Sequence, residues 1–279
     1  MRKISYSQLS TYTDCQMKWY LIYKLGYKFS NKHTEFGTIV HNTLETRIVP
    51  DEFNYENIRE DFKIRSWQDY FGVIFEEVDN ILKDYTPLYN EIVLENDNFI
   101  GVVDKILKDE DNNHMLIDYK TTARPKTYMD IENDAQLYFY AYLYNKIKGV
   151  PLDKIKVGYM NIPKSDVATP KVLKNGTLSK AKSQKTTYNL YYKAIKENKL
   201  DVADYKDILE DLKDQELVSF VYTTINIDVL KDLLDDIQLI IKDMSKGYVL
   251  PCFGYSCKGC DFKDECKKER KIKNDKMGK

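Results

Sequence analysis

Phe99-Ile-Gly-Val-Val-Asp-Lys-Ile-Leu-Lys108 and His114-Met-Leu-Ile-Asp-Tyr-Lys-Thr121 decide the fold. Both stretches are β-branched and apolar, and Asp109-Glu-Asp-Asn-Asn113 between them has turn chemistry, so they read as adjacent antiparallel strands. Side chains two apart on a strand share a face. Asp118 and Lys120 therefore project together, while Ile117 and Tyr119 face the opposite layer and Asp104 lies on the neighbouring strand. A carboxylate beside an ammonium is costly to bury on an apolar strand unless both are used. Two carboxylates converging from adjacent strands suit a hard divalent cation, and a neighbouring lysine can orient a water or help deprotonate it.

Working outward, Tyr89 to Leu94 reads as a strand joined through the hairpin turn Glu95-Asn-Asp-Asn98, which makes a three-stranded meander. Ala135-Gln-Leu-Tyr-Phe-Tyr-Ala-Tyr-Leu-Tyr144 is apolar and aromatic all round and too long for a typical strand, so it predicts a buried helix ending near Gly149. Lys154 to Ile162 returns as a strand that reaches the sheet only by crossing over that helix, which makes the sheet mixed. Toward the N-terminus, a capping box predicts a helix opening near Ser5 or Ser7, followed by a helical stretch from Gln16 to Lys24. Phe36 to Ile48 places Gly37, Val40, His41, Leu44 and Ile48 on one face, so His41 points inward. Helical periodicity from Asn57 to Lys83 ends at the breaker Thr86-Pro87. Beyond the core, helices are expected at about 186–198, 201–213 and 228–246, with a candidate strand from Val218 to Ile225. The class is α/β: a mixed central sheet flanked by helices.

The chain has 279 residues, room for one large domain or two small ones, and a core that needs no disulfides. With 43% apolar residues it lies outside the range of disorder. The formal net charge of −1 argues at face value against a nucleic-acid partner, but it averages opposed blocks. From Lys171 to Lys196 there are seven lysines and no acid; Glu197 to Asp243 sums to −8, and Lys267 to Lys279 to +5. Lys171, Lys174, Lys180, Lys182 and Lys185, with Tyr188, Tyr191 and Tyr192, combine phosphate pairing with base stacking, as expected of a lid over a single-strand groove. A solvated lysine-rich loop is the alternative. No apolar run approaches the roughly 18 residues of a membrane span, so the chain is read as soluble and cytoplasmic.

Five cysteines, four of them in the last tenth of the chain, make a poor disulfide framework and a good metal site. Cys257-x2-Cys260-x5-Cys266 leaves the metal open. With Cys252 added, the run is similar to plant-type [2Fe-2S] spacing, and a four-thiolate Zn²⁺ site is a further alternative.

The ordered set Gly37-x3-His41, Gly101-x2-Asp104, Asp118-x-Lys120 and Gln136-x3-Tyr140 resembles the PD-(D/E)XK nuclease superfamily. Within it, the chain is most similar to the RecB-like, AddB-like branch, which includes phage and CRISPR-associated exonucleases. The resemblance implies a restriction-endonuclease-like core. It implies Mg²⁺ or Mn²⁺ ligated by His41, Asp104, Asp118 and the Tyr119 carbonyl, with Lys120 positioning the attacking water and Gln136 and Tyr140 facing the same cleft. Glu91 stands where relatives often carry an acid, with a structural ion pair as its alternative role. Relatives with one early and three late cysteines bind a [4Fe-4S] cluster, which would take Cys15, Cys257, Cys260 and Cys266 and leave Cys252 free. Relatives commonly follow the first cysteine with proline; here Gln16 follows.

The expected division is a nuclease core over 34–162, a helical insert or lid over 163–246, and a cluster region joining 1–33 to 247–279. The expected activity is metal-dependent DNA hydrolysis, as an exonuclease acting on ends or single strands in recombination, repair or phage DNA processing. No G-x4-G-K-[ST] sequence occurs, so a helicase or recombination partner would come from another chain. The alternatives are a catalytically inactive iron-sulfur subunit for DNA binding or assembly, which the intact Asp104, Asp118 and Lys120 disfavour, and a zinc-stabilised binding module of unrelated fold.

Overall fold

The computed structural model describes residues 3–277 except 29, 168, 182–184, 214–216, 248, 253, 255 and 256, with side chains as far as Arg270. The meander is present as β1 (Thr86–Glu95), β2 (Ile100–Lys108) and β3 (His114–Thr122). Pro87 sits at the start of β1, where a missing N–H is tolerated because β1 is a sheet edge. The pair expected to end a helix thus also begins a strand.

Five α-helices precede the sheet among the described residues. Ser5 accepts the Gln8 N–H and opens α1 (Tyr6–Asp14). Then α2 (Gln16–Trp19) runs into a π-type turn, Tyr20–Lys24. Asn31 caps α3 (Lys32–Thr46) with a complete capping box. The periodic stretch from Asn57 to Lys83 is two helices rather than one, α4 (Glu56–Asp61) and α5 (Trp67–Leu82). Lys63 between them adopts φ +57°, and Ser66 caps α5 through the Asp69 N–H. Ile58, Ile64 and Trp67 are buried on both sides of the break, and neither glycine nor proline marks it in the sequence.

After β3 come a short α6 (Tyr128–Ile131) and α7 (Ala135–Lys148), capped by Asp134 and closed at Gly149 in the left-handed region. Crossing over α7, the chain enters β4 (Ile155–Pro163), parallel to β3. Then follow α8 (Tyr188–Glu197), α9 (Lys206–Lys213), β5 (Ser219–Thr224), α10 (Ile227–Met244) and α11 (Lys263–Met277). The sheet order is β1-β2-β3-β4-β5, antiparallel at every pair but β3–β4, so the expected mixed sheet flanked by helices is present.

Each sheet face carries its own core. On one, Phe36 and Val40 of α3 and Trp67, Tyr70 and Phe71 of α5 meet Ile117, Tyr119 and Met160. On the other, Leu137, Phe139 and Tyr144 of α7 and Ile237 of α10 meet Leu116, Val157 and Tyr159. Each buried large side chain contributes about 2–3 kcal/mol. Covering both faces holds the sheet rigid where β2 and β3 end. A separate cluster of Leu178, Tyr191, Ile195, Tyr205 and Leu209 sits under the lysine-rich stretch, while β5 and α10 pack on the main sheet. Among the described residues, no helix is long and apolar enough to cross a membrane.

Candidate active site

The β2–β3 ladder stops at Lys105 opposite Ile117. One step further, the Asp104 carboxylate replaces a backbone partner: its Oδ2 accepts the Tyr119 N–H at 2.7 Å. Its Oδ1 faces His41 Nδ1 at 3.1 Å. Burial alone would lower the His41 pKa, but the hydrogen bond and charge of Asp104 outweigh it and hold the imidazole above its usual value. His41, expected on the inward face of its helix, is brought by α3 against Asp104.

Asp118 is 7% exposed. Lys120 Nζ stands 2.8 Å from its Oδ2, its ion-pair and hydrogen-bond partner. Burial pushes the carboxyl above the usual range, Lys120 pulls it back, and the charge of Asp104 adds to the rise. Gln136, in the first turn of α7, ties the group together: Nε2 donates to Tyr140 Oη at 2.9 Å and to Asp118 Oδ1 at 3.4 Å, and Oε1 accepts from Lys120 Nζ at 3.3 Å. Burial pushes the Tyr140 phenol up to about 12, so it stays protonated at neutral pH. Gly101 explains its own place in the motif, since a Cβ there would lie 2.8 Å from the Tyr140 ring. A Cβ at Gly37 would meet only Thr121 Oγ1, at an ordinary 3.5 Å.

Glu91 has φ +41° and hydrogen-bonds the carboxyl of Glu45, one helical turn after His41. That contact, then burial, raises the Glu91 pKa. The alternative of an ion pair is thus replaced by a carboxyl pair, because α3 presents an acid to the bend in β1. His114 is half-buried, with Nδ1 2.8 Å from Tyr144 Oη. Sequence reading passed over two further residues at this site: Tyr159, paired in register with Asp118, and Asp134, the cap of α7. Their signal lies in a crossover register, which no local pattern encodes.

In the lysine-rich stretch, Lys171 and Lys174 are exposed. Lys180 Nζ donates to the Asp204 carbonyl, and Lys185 Nζ meets Ser165 Oγ at 2.7 Å. Lys182 lies outside the described residues. Tyr188 and Tyr192, one helical turn apart, stack with ring centroids 6.1 Å apart and planes 6° from parallel, and Lys196 covers Tyr192. Tyr191 is a correction: it is fully buried with its hydroxyl donating to the Ser179 carbonyl, because it falls on the apolar face of α8, so no base can reach it.

Cys15, Cys252, Cys257, Cys260 and Cys266, all unpaired, line one cavity of about 330 Å³. Cys15 follows α1, and Cys260 and Cys266 flank the start of α11, so the cavity joins the two ends of the chain. The Cys252 N–H points at Cys15 Sγ at 3.5 Å, and Cys257 Sγ at the Cys252 carbonyl at 2.8 Å. Lys18, Lys263, Lys267 and Arg270 rim the cavity. Among the described residues, no set of three or more His, Cys, Asp or Glu side chains is gathered to hold a single metal ion.

Comparison with known proteins bears on the cleft and the joined ends together. In overall structure the chain is similar to the "putative exonuclease" of Eubacterium rectale, with 11% identity over 94% of this chain and 87% of the other and a TM-score of 0.49. It is also similar to EndoMS in its complex with double-stranded DNA, with 18% identity over 47% of this chain and 41% of the other and a TM-score of 0.22. Among curated proteins there is no significant match. These overlaps are low, and the assignment rests on sequence: the PD-(D/E)XK nuclease superfamily profile matches residues 3–267, from the first helix through the last cysteine. A match over nearly the whole length makes this chain a member of the PD-(D/E)XK nuclease superfamily.

Proposed function

We propose that the chain is a metal-dependent deoxyribonuclease of the RecB-like, AddB-like branch, acting as an exonuclease on DNA ends or single strands. The observation that carries the reading is the convergence of Asp104, Asp118, Lys120 and Gln136 where β2 and β3 part. Mg²⁺ or Mn²⁺ would be held by His41, Asp104, Asp118 and the Tyr119 carbonyl. Two features favour the fit. The Asp118 carboxylate is buried in the cleft, where a cation would join Lys120 in balancing its charge, and His41 Nδ1 and Asp104 Oδ1 stand 3.1 Å apart, the spacing of adjacent octahedral ligands about 2.1 Å from one ion. When bound, the cation supplies charge neutralisation at the scissile phosphate and a nucleophile at neutral pH.

The chain's own residues do the rest. The Lys120 ammonium, held by Asp118 and Gln136, orients the attacking water and offers positive charge where negative charge develops on the phosphate. Gln136 keeps Lys120 and Asp118 in register, and Tyr140 locks Gln136. The stacked Tyr188 and Tyr192, with Lys171, Lys174 and Lys185, form the strand-tracking surface of the lid. The division into nuclease core, lid and joined termini belongs to the same proposal, with the sheet extending through β5.

For the cysteine cavity the reading is a [4Fe-4S] cluster on Cys15, Cys257, Cys260 and Cys266. All four of these cysteines line one cavity, so a single bound group could reach each of them. The basic rim suits its anionic charge. The test is degradation of end-labelled single-stranded DNA in Mn²⁺, with iron and sulfide determined on the same anaerobic preparation. Cleavage lost in Lys120→Ala at unchanged iron content supports the reading. A colourless, zinc-containing protein without cleavage refutes it.

A further inference from the structure

Lys120 is bracketed on three sides, and two of the brackets belong to the motif: Asp118 Oδ2 at 2.8 Å and Gln136 Oε1 at 3.3 Å. The third is the ring of Tyr159, whose centroid lies 5.1 Å from Lys120 Nζ. Tyr159 stands on β4 in register with Asp118, on the same sheet face, and is 1% exposed. The distance is within the range in which an aromatic face attracts an ammonium, and burial strengthens the attraction.

The ring is itself fixed. Its hydroxyl donates to Asp134 Oδ2, while Asp134 Oδ1 accepts the Leu137 N–H at 3.1 Å and so caps α7. Burial and the Asp134 charge hold the phenol above its usual range, so it remains the donor. One carboxylate thereby anchors both the aromatic wall behind Lys120 and the start of the helix that carries Gln136 and Tyr140. A substitution at Asp134 would loosen two of the three brackets at once.

We propose that Tyr159 and Asp134 are positioning residues for Lys120: the Tyr159 face holds the ammonium against Asp118 and Gln136, and Asp134 sets the ring and α7 relative to each other. The proposal rests on the nuclease reading for its kinetic consequence, but not for its structural one. In Tyr159→Leu, kcat on single-stranded DNA falls about tenfold, the size expected of a desolvated cation–π contact. KM and DNA affinity in Ca²⁺ stay within about twofold, because Tyr159 is buried away from substrate. Tyr159→Phe keeps the aromatic face and retains most of the rate. Asp134→Asn, which preserves the helix cap, falls between the two.

A second measurement needs no activity. In protein with ¹³C-labelled lysine side chains, the Cε protons of Lys120, assigned with Lys120→Arg, are shifted upfield by the Tyr159 ring current. They return to the solvent-exposed position in Tyr159→Leu and stay shifted in Tyr159→Phe. Wild-type rates in a folded Tyr159→Leu, or a Lys120 resonance that ignores the ring, overturns the proposal. A ring-shifted resonance in a wild-type protein that cleaves no DNA supports the placement of Lys120 and overturns the nuclease reading alone.

Discussion

In the cleft, every charged side chain is held by a neighbour that is held in turn. Asp104 grips the Tyr119 N–H and His41, Lys120 sits between Asp118 and Gln136, and the elements beneath them are covered on both sheet faces. In the cysteine cavity, by contrast, the walls come from opposite ends of the chain, and among the described residues the buried apolar ones binding them are Met17, Leu21 and Phe262, with Tyr20, Ile22 and Val249 packed against them. The difference separates two ways of building a site. A rigid scaffold fixes the carboxylates and lysine before any ligand arrives, which is what catalysis needs. A junction with so small a core gains its cohesion from the occupant it is proposed to enclose.

That contrast can be broken by substitutions that should damage one region and spare the other. Asp104→Ala should lower DNA cleavage by roughly 10³-fold, the scale of losing a preorganised electrostatic group, with iron content and thermal midpoint nearly unchanged. Cys260→Ser should do the reverse. If the cluster links the two ends, its loss removes a cross-link worth roughly 5 kcal/mol for a loop longer than 100 residues, read as a lower urea midpoint together with lost iron and sulfide.

Gly101→Ala probes the cleft's scaffold. A methyl 2.8 Å from the Tyr140 ring should cost about 1–3 kcal/mol of stability, with a fall in cleavage as Gln136 shifts. In the lid, Tyr192→Ala should weaken single-strand binding about tenfold at fixed salt, within the roughly 1–3 kcal/mol of one stacked base. Tyr191→Ala should lower the melting temperature and leave affinity alone, because that ring is buried. The smallest effect is expected at the β2–β3 turn. Burial would raise the Asp109 pKa, but hydrogen bonds from Lys156 and Asn113 draw it down to about 2. Its contribution is present above about pH 4, the unfolded value, and is lost as pH falls through 2. Asp109→Asn should therefore cost about 1 kcal/mol at pH 7, after allowance for solvent screening, and nothing near pH 2 in urea titrations.

Much of this design was legible in the sequence because strands and helices impose different periods on side chains. The alternation through Asp118 and Lys120 placed both on one face of the sheet, and the aromatic run from Ala135 to Tyr144 marked the crossover that makes β3 and β4 parallel. Gly101 was visible as part of a motif, but its reason, the Tyr140 ring, needed the fold. Other features were invisible for physical causes. The helix break between Asp61 and Trp67 is masked because buried residues flank it and neither glycine nor proline marks it. Tyr191 shares a lysine-rich stretch with Tyr188 and Tyr192 but turns into the cluster of Leu178 and Ile195 while Tyr192 stays exposed, so composition could not separate it from them. Tyr159 meets Lys120 through the register of two strands far apart in sequence. Cys252 lines the same cavity as the other four cysteines, a proximity that spacing alone left undecided.

The central claim is that Asp104, Asp118 and Lys120 form a hydrolytic centre for DNA that acts from ends. It is tested most directly by incubating wild type and Asp118→Ala with Mn²⁺ and end-labelled linear or covalently circular single-stranded DNA of the same sequence. The expected result is progressive degradation of the linear strand by wild type, survival of the circle, and no cleavage of either by Asp118→Ala. Equal cleavage by wild type and Asp118→Ala would contradict the assignment of the centre, and cleavage of the circle at the linear rate would contradict action from ends.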